Sequence, residues 1–425
     1  MVFLRKNKRF CGAAILFGTA ALLLHNDDAK AVGLTTELAA SVPVQSFSDV
    51  GGHWAETVIR KAAELNLVQG YSDGTFHPDG KITRAEFAAM LNRATKQATA
   101  TAAAENSLSG LQNHWSQTEV NKLAALGFID QSDYKTDFFP DLELTRYEMI
   151  KWISSGLAQS EPSFKQALED TEGTLLPTPE TYKGGISSEQ IPYVAIVKGT
   201  GIVDGFEDGT FRLAQATTRA EVSAILMRFM EVEGHKAEQY NGLNELREVG
   251  LTGSNVLSIT KYLYSKNYSN EEASFDKIQN KDITLKNNIA TMKVKRIIFI
   301  DTIDTKASGV YAQMFLDQVE KYQNNRYIAV SEISITSNLD KIDPNTLANG
   351  MGNGITSATR LSDASATRYG IPTIPLLSAG FFQKGVENSV WVLQTMPKIP
   401  PNNREYISYS ITTDSGENGG IILRK

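Results

Sequence analysis

Cysteine is nearly absent: Cys11 is the only one in 425 residues. It stands between the basic residues Arg5, Lys6, Lys8 and Arg9 and an apolar stretch from Gly12 to Leu24. Basic flank, short apolar core and the small-x-small triplet Ala29-Lys30-Ala31 make residues 1–31 an expected export signal peptide. Cys11 precedes the apolar core, where no lipidation cysteine belongs, and would leave with the signal. The mature chain is then expected to lack thiols, which excludes disulfides, Cys-ligated metals and Cys nucleophiles. Histidine is also scarce, and all five lie at or before His235. Beyond that point a local histidine triad and a His-ligated zinc amidase or peptidase centre are excluded. Neither a Gly-x-Ser-x-Gly elbow nor a Gly-Lys-Ser/Thr phosphate loop is present there. After the leader no stretch reaches the roughly 18 apolar residues of a membrane span, so none is expected in the mature form. Positive charge is not in excess either, and a formal net charge of -6 argues against nucleic acid as a partner.

What remains is ordinary globular composition, 41% hydrophobic and 21% charged, with room for two to four domains. Within it four residues recur: Thr83-Arg84-Ala85-Glu86, Thr145-Arg146-Tyr147-Glu148 and Thr218-Arg219-Ala220-Glu221. Each precedes apolar residues at helical spacing, such as Phe87, Met90 and Leu91 after the first. Thr-x-x-Glu in that position is a capping box, so Thr83, Glu86, Thr145, Glu148, Thr218 and Glu221 are expected helix caps. Capping leaves the arginine unexplained. A cation at the first helical position opposes the macrodipole by a few tenths to about 1 kcal/mol. Three repetitions of that cost imply a counter-charge there. It is either a bound anion, held by free helix N–H groups and the arginine fork, or the carboxylate of a neighbouring repeat.

The boxes belong to repeats at 46–95, 107–158 and 164–233, with an Ala/Thr-rich linker at 96–106. The first repeat reads Phe47-Ser48-Asp49-Val50, then His53-Trp54, a helical stretch, Gly70-Tyr71-Ser72-Asp73-Gly74-Thr75-Phe76-His77-Pro78, and the capped helix. The Asp-Gly dipeptides mark tight turns between the two helices of each unit. The second keeps His114-Trp115 and Pro140. The third has Asp170, an inserted loop from Leu176 to Ile191, and Gly205-Phe206-Glu207-Asp208-Gly209-Thr210-Phe211. His53 and His114 are expected turn residues. A calcium-loop reading of the first turn fails because Thr75 and His77 occupy positions that need acidic ligands.

Phe47, Asp49, Trp54, Gly70-Tyr71, Asp73-Gly74-Thr75-Phe76, Pro78 and the three boxes together resemble the S-layer homology family, over nearly half the chain. The resemblance implies an α-helical, pseudo-threefold unit of helix–turn–helix repeats with grooves between neighbouring copies. It implies that those grooves hold a secondary cell-wall polysaccharide linked to peptidoglycan, in many members one bearing ketal-linked pyruvate. Carried over by position, the polysaccharide-binding residues are Asp49, Trp54, Gly70, Tyr71, Arg84, Trp115, Arg146, Gly205 and Arg219. A tryptophan offers a sugar a flat apolar face with an N–H at its edge. The second copy departs from the pattern with Gly110 in the place of Asp49, and the third has Glu189 near the place of tryptophan. One or two working grooves are therefore expected. No metal or cofactor is implied.

From about Glu238 the repeats stop. Residues 238–288 read as a partly helical linker, and 289–425 as a mixed α/β domain of underivable topology. Expected strands are Val294–Ile300, Tyr327–Ile335, Val390–Leu393, Tyr406–Ile411 and Ile421–Leu423, with helices at 310–322 and 358–369. Asp301 and Asp304, at the end of the first strand, are either caps of the next turn or carboxylates that a glycosidase would use, and Glu332 is a further carboxylate candidate. The expected function is non-covalent anchoring of an exported protein to the bacterial cell wall, without enzymatic activity. The alternatives are a wall-anchored carboxylate-dependent glycan hydrolase and a self-assembling surface-layer or adhesive protein. Other surface-layer proteins are candidate partners.

Overall fold

The computed structural model describes residues 46–99, 108–267, 269–303, 306–315, 325–351, 354, 356–375 and 380–425. The expected signal peptide with Cys11, most of the 96–106 linker, Asp304 and most of the expected 310–322 helix lie outside these residues. The helical half contains α1 (Glu56–Glu64), α2 (Arg84–Ala94), α3 (Gln117–Ala125), α4 (Arg146–Ser160), α5 (Pro162–Asp170), α6 (Glu180–Lys183), α7 (Ile191–Thr200), α8 (Arg219–Val232), α9 (Asn241–Thr252) and α10 (Val256–Ile259).

The three boxes open α2, α4 and α8, and each forms a complete capping box. Their apolar faces meet in one core, with Phe87 stacked on Trp152 and Phe128 edge-on to Phe229. The helix preceding each box helix packs against the box helix of a different copy: α1 on α8, α3 on α2 and α7 on α4. The copies are thus interleaved in a closed cycle. Backbone bonds repeat the cycle: Ile82 N–H donates to Thr217 O, Thr217 N–H to Leu144 O, and Leu144 N–H to Ile82 O, at 2.8–3.1 Å.

The turns before the boxes explain how one copy grips the next. His77, Phe139 and Arg212 occupy equivalent places and all have left-handed φ, at 55°, 49° and 51°. That conformation costs a non-glycine residue about 1–2 kcal/mol. It aims the following carbonyls at the neighbour: Arg84 N–H donates to Leu142 O and Ala85 N–H to Pro140 O, at 3.0 and 2.9 Å. Arg146 and Tyr147 use Gln215 O and Leu213 O in the same way, and Arg219 and Ala220 use Gly80 O and Pro78 O. With the cap bonds, this satisfies the helix N–H groups that would otherwise be orphaned. No free N-terminal amides remain at these three ends, which corrects the expectation of a ready anion site.

Residues 238–288 are not loose. Helix α9 lies on α5 and α7, and the backbones of α7 and α9 come so close at Gly199 that a Cβ there would stand 2.5 Å from Leu243 Cα. The C-terminal region is mixed α/β with open sheets. Its strands are β1 (Leu263–Tyr264), β2 (Ile283–Thr284), β3 (Ala290–Ile303), β4 (Lys306–Ser308), β5 (Arg326–Ser337), β6 (Thr359–Arg360), β7 (Glu387–Pro397), β8 (Tyr406–Thr412) and β9 (Asn418–Arg424). The larger sheet runs β2-β3-β5-β7-β6 with β4 beside β3, the smaller β1-β9-β8, and every strand pair is antiparallel. The expected helix at 358–369 begins only at Asp363, after β6.

One face of the larger sheet (Ile298, Ile300, Val330, Trp391, Leu393) joins the core of the helical half. The other (Ile297, Phe299, Ile333, Val392) packs on the smaller sheet with Tyr262, Ile421 and Leu423. Burial on both faces accounts for the unbroken apolar run at Ile297–Ile300.

Candidate functional site

The counter-charges of the box arginines are carboxylates of neighbouring boxes. Arg84 pairs with Glu148 at 2.6 Å, Arg146 with Glu221 at 3.1 Å and Arg219 with Glu86 at 3.2 Å. The three pairs close a ring. Each arginine also donates to a carbonyl of the strained turn: Arg84 to Phe138 O, Arg146 to Phe211 O, and Arg219 to Phe76 O. Arg146 and Arg219 are buried, Arg84 nearly so. Each glutamate thus serves its own helix as cap and the neighbour's arginine as counter-ion. Three repeated arginines are accounted for without a ligand.

Asp49 is also occupied. Its carboxylate accepts from Phe76 N–H at 2.8 Å and His77 N–H at 2.7 Å. Desolvation pushes its pKa up, but those two N–H groups outweigh it and hold it below the usual aspartate value. Its counterpart in the third copy is Glu180, not Asp170: Glu180 accepts from Phe211 and Arg212 N–H at 2.6 and 2.7 Å. Asp170 instead pairs with Arg247 of α9 at 2.9 Å. In the second copy Asp137 accepts from Phe139 N–H at 2.9 Å, and its carboxylate fills the space over Gly110. Gly70 is required by packing, since a Cβ would lie 2.4 Å from the Phe47 ring and 2.6 Å from Thr75 O. Gly205 has φ +87°. Tyr71 donates to Glu86 at 3.3 Å and lies under the Arg219 guanidinium.

The tryptophans behave differently. Trp152 and Trp391 are buried at 1% and 0% exposure, whereas Trp54 and Trp115 stand out at 67% and 61%. Equivalent histidines steady them. His53 takes Ala55 N–H on Nδ1 at 3.1 Å and meets Asp79 through Nε2 at 3.3 Å, with its ring against Trp54. His114 does the same with Ser116 and Asp141, against Trp115.

Each exposed tryptophan edges a groove formed with another copy. Trp54 faces a groove of about 530 Å³ with Gly205, Phe206, Ile225, Arg228 and the Arg146–Glu221 pair. Trp115 faces one of about 290 Å³ with Gly70, Tyr71, Met90, Arg93 and the Arg219–Glu86 pair. A third groove, about 430 Å³, holds the Arg84–Glu148 pair but no exposed tryptophan, and a Lys151–Asp133 pair lies in it. Glu189, near the place of the missing ring, lines a different hollow with Glu169, Glu172 and Tyr193.

Sequence reasoning missed Arg93 and Arg228. They sit at the same place, seven residues after the box glutamate, exposed and in no ion pair among the described residues. Each donates only to a carbonyl, Leu67 O at 3.4 Å and Ile202 O at 3.2 Å. Their recurrence at one spacing in the first and third copies was the available signal.

Asp304 lies outside the described residues, and Asp301 and Glu332 do not form a pair. Asp301 lies opposite Tyr327 and is bound by Lys398, while Glu332 lies opposite Arg296 and is bound by Arg296 and Tyr182. Five residues of β3 separate the two positions, roughly 16 Å, and they fall on opposite faces. That exceeds the roughly 5–9.5 Å of a glycosidase pair. The strand-end rule invoked for Asp301 belongs to parallel sheets, and this sheet is antiparallel. Among the described residues no helix is long and apolar enough to cross a membrane.

The S-layer homology domain model matches residues 46–88 and 184–223. S-layer homology domains are therefore present in those two regions, and the middle copy is not among the matches. The cellulosome-anchoring protein of Acetivibrio thermocellus is 34% identical over 30% of this chain and 30% of its own length. The amylopullulanase of Thermoanaerobacterium thermosulfurigenes is 26% identical over 45% of this chain and 10% of its own. The S-layer protein of Bacillus licheniformis is 24% identical over 55% of this chain and 25% of its own. The matched stretch thus spans less than a third of each of these relatives. The chain is an exported protein of the cell surface, associated with the cell wall. The expectation of a protein without enzymatic activity is corrected by the amylopullulanase, together with a cell-wall amidase and an exoglucanase of similar identity.

Proposed function

We propose that the helical half is a three-copy S-layer-homology unit with pseudo-threefold symmetry, which holds the chain non-covalently to wall polysaccharide. The observation that carries this is the exposure of Trp54 and Trp115, each at a groove built with another copy's capped helix. A flat apolar ring beside hydrogen-bonding side chains and an unpaired arginine suits a sugar ring bearing polar or anionic substituents. Two grooves bind and the third, lacking a tryptophan, does not. The box arginines contribute spare N–H groups at the groove floors while holding the unit together.

The test is sedimentation of the protein with purified cell walls. Native walls should carry it down, walls stripped of secondary polysaccharide should not, and the Trp54→Ala/Trp115→Ala double variant should stay in solution. Binding that survives stripping would sink the polysaccharide reading.

A second reading concerns the C-terminal half. The relatives named for enzymes favour a wall-anchored glycan hydrolase, and the S-layer relatives a self-assembling surface subunit. Soluble fragments released from purified wall by the full-length protein would support the hydrolase. Ordered sheets without any release of fragments would support the lattice.

A further inference from the structure

The Trp54 groove takes Gly205, Phe206 and Glu207 of its wall from one tight turn, and the Trp115 groove takes Gly70 and Tyr71 from the corresponding turn. The two turns are built alike. Phe206 N–H donates to Thr210 O at 2.9 Å and Gly209 N–H to Phe206 O at 2.8 Å. Tyr71 N–H donates to Thr75 O at 2.8 Å and Gly74 N–H to Tyr71 O at 3.1 Å. Their surroundings differ. A Cβ at Gly74 would meet nothing within 4 Å, whereas one at Gly209 would stand 3.1 Å from the Tyr369 hydroxyl oxygen and 3.5 Å from Pro179 Cδ. The turn of the first copy faces open space, and that of the third copy is covered by the helix Asp363–Tyr369 of the C-terminal region. Arg368 on that helix donates from Nη2 to Glu207 O at 2.9 Å.

We infer that Arg368 is a positioning residue for the Trp54 groove. Through it the C-terminal region sets how tightly that groove, and not the Trp115 groove, holds a sugar. The inference rests on the polysaccharide reading above and adds which part of the chain controls each groove.

The brace is anchored in the sheet. Tyr369 is buried in the shared core with Ile371 and Trp391. The segment after the helix is pinned to β7: Trp391 N–H donates to Pro372 O at 2.8 Å, and the Thr373 hydroxyl donates to Trp391 O at 3.0 Å. The end of the same turn is held by α6, where Glu180 accepts from Phe211 and Arg212 N–H and Tyr182 lies edge-on to Trp391. Both elements that fix the turn therefore rest on β7. The turn at Tyr71 is held from within the repeats, by Asp49 on Phe76 and His77 N–H and by Glu86 and Arg219 around the Tyr71 ring. A surface turn flanked by Gly205 and Gly209 loses freedom when a sugar closes on Phe206. A charge-assisted bond that orders it beforehand removes that cost from binding.

The two grooves can be read separately, because Trp54 and Trp115 are the exposed tryptophans and Trp152 and Trp391 are buried. Trp115→Phe leaves Trp54 as the accessible reporter, and Trp54→Phe leaves Trp115. Arg368 is exposed, and Arg368→Met keeps an apolar stem there while removing every donor. Full-length proteins carrying each reporter, with and without Arg368→Met, are titrated by tryptophan fluorescence with isolated wall polysaccharide. Their folds are compared by circular dichroism and thermal midpoint. Arg368→Met should weaken the Trp54 response at least about fivefold and leave the Trp115 response within about twofold. A general loss of stability would move both reporters together. A smaller loss at Trp54, or an equal loss at Trp115, would overturn the coupling while leaving polysaccharide binding intact. No response of either reporter in the proteins that keep Arg368 would overturn the polysaccharide reading, and this inference with it.

Discussion

Arg219 donates from Nη1 to Glu86 Oε1 at 3.2 Å across 133 residues of chain, the contact by which the last box returns to the first. It makes the three boxes a closed ring rather than a row. In a row the end copies could fray. In a ring there is no end copy, and the departure of any one copy strips a capped helix of both its neighbour's carbonyls and its counter-ion. The arginines that looked like ligand residues are thus first of all the fasteners of the unit.

The ring should therefore be sensitive where the grooves are not. Arg219→Ala leaves Glu86 without its buried partner and should cost about 3 kcal/mol of unfolding free energy. Thr83→Ala removes one cap bond and should cost about 1 kcal/mol. Arg93→Ala and Trp115→Ala, on exposed surface, should fall within about 0.5 kcal/mol of the parent. Urea unfolding followed by far-ultraviolet dichroism measures all four. A cost at Arg93 equal to that at Arg219 would show that Arg93, too, is structural.

Much of the helical half was legible because its signals are local. Thr-x-x-Glu with apolar spacing specifies a helix start wherever it stands, and Asp-Gly specifies a turn. The partner of each arginine was not legible, because Glu148 lies 64 residues from Arg84 and only the closed ring brings them together. Glu180 was missed for a similar reason: it sits in an insertion, and position alone pointed to Asp170. His-Trp reads equally as core or surface, and burial depends on which copy lies opposite. In the C-terminal half strand positions followed apolar runs. Pairing depends on connections whose lengths permit several arrangements, so the antiparallel order could not be read.

The turn clamps predict an acid response. Asp49 has its pKa held below the unfolded value, so its contribution is present above about pH 4 and is lost as pH falls through the lower folded value. Asp49→Asn keeps one acceptor of two and should cost about 1–2 kcal/mol at neutral pH. Its deficit against the parent should shrink below about pH 4 as the parent's own carboxylate protonates. Unfolding midpoints between pH 2.5 and 7 check this, and a deficit constant with pH would remove the charge from the explanation.

Glu245 predicts the opposite sign. It is buried on α9, where desolvation pushes its pKa up to about 7 against the partial opposition of the Asn255 amide and Val310 N–H. A carboxyl raised in the folded state binds its proton more tightly there than in the unfolded chain. Its contribution is therefore full below about pH 4.5 and is lost as pH rises to about 7, by a total of order 3 kcal/mol. Subtracting the pH profile of Glu245→Gln from that of the parent should expose this decline. A difference profile that is flat from pH 4.5 to 8 would mean that Glu245 is hydrated.

The two halves should melt together. Trp391 on β7 is fully buried in the core that the larger sheet shares with the helices, with Tyr182 of α6 edge-on to its ring. Tyr182 reaches Glu332 on β5 at 3.4 Å, and Tyr311 donates to Leu175 O at 2.9 Å. Separation would expose Ile298, Ile300, Val330 and Leu393 at once, and apolar area of that extent couples folding units. In a Trp54→Phe/Trp115→Phe background, the buried tryptophan emission and the helical dichroism should give one coincident thermal midpoint. Trp391→Ala, a change made in the sheet, should lower the stability read by the helical dichroism by about 3–5 kcal/mol. If only the sheet were loosened and the helical signal kept its midpoint, the sheet would be an independent passenger on the helical unit. With a single transition, strain on one half is felt by the other. The grooves at Trp54 and Trp115 are then built on a unit whose core continues into the C-terminal sheet.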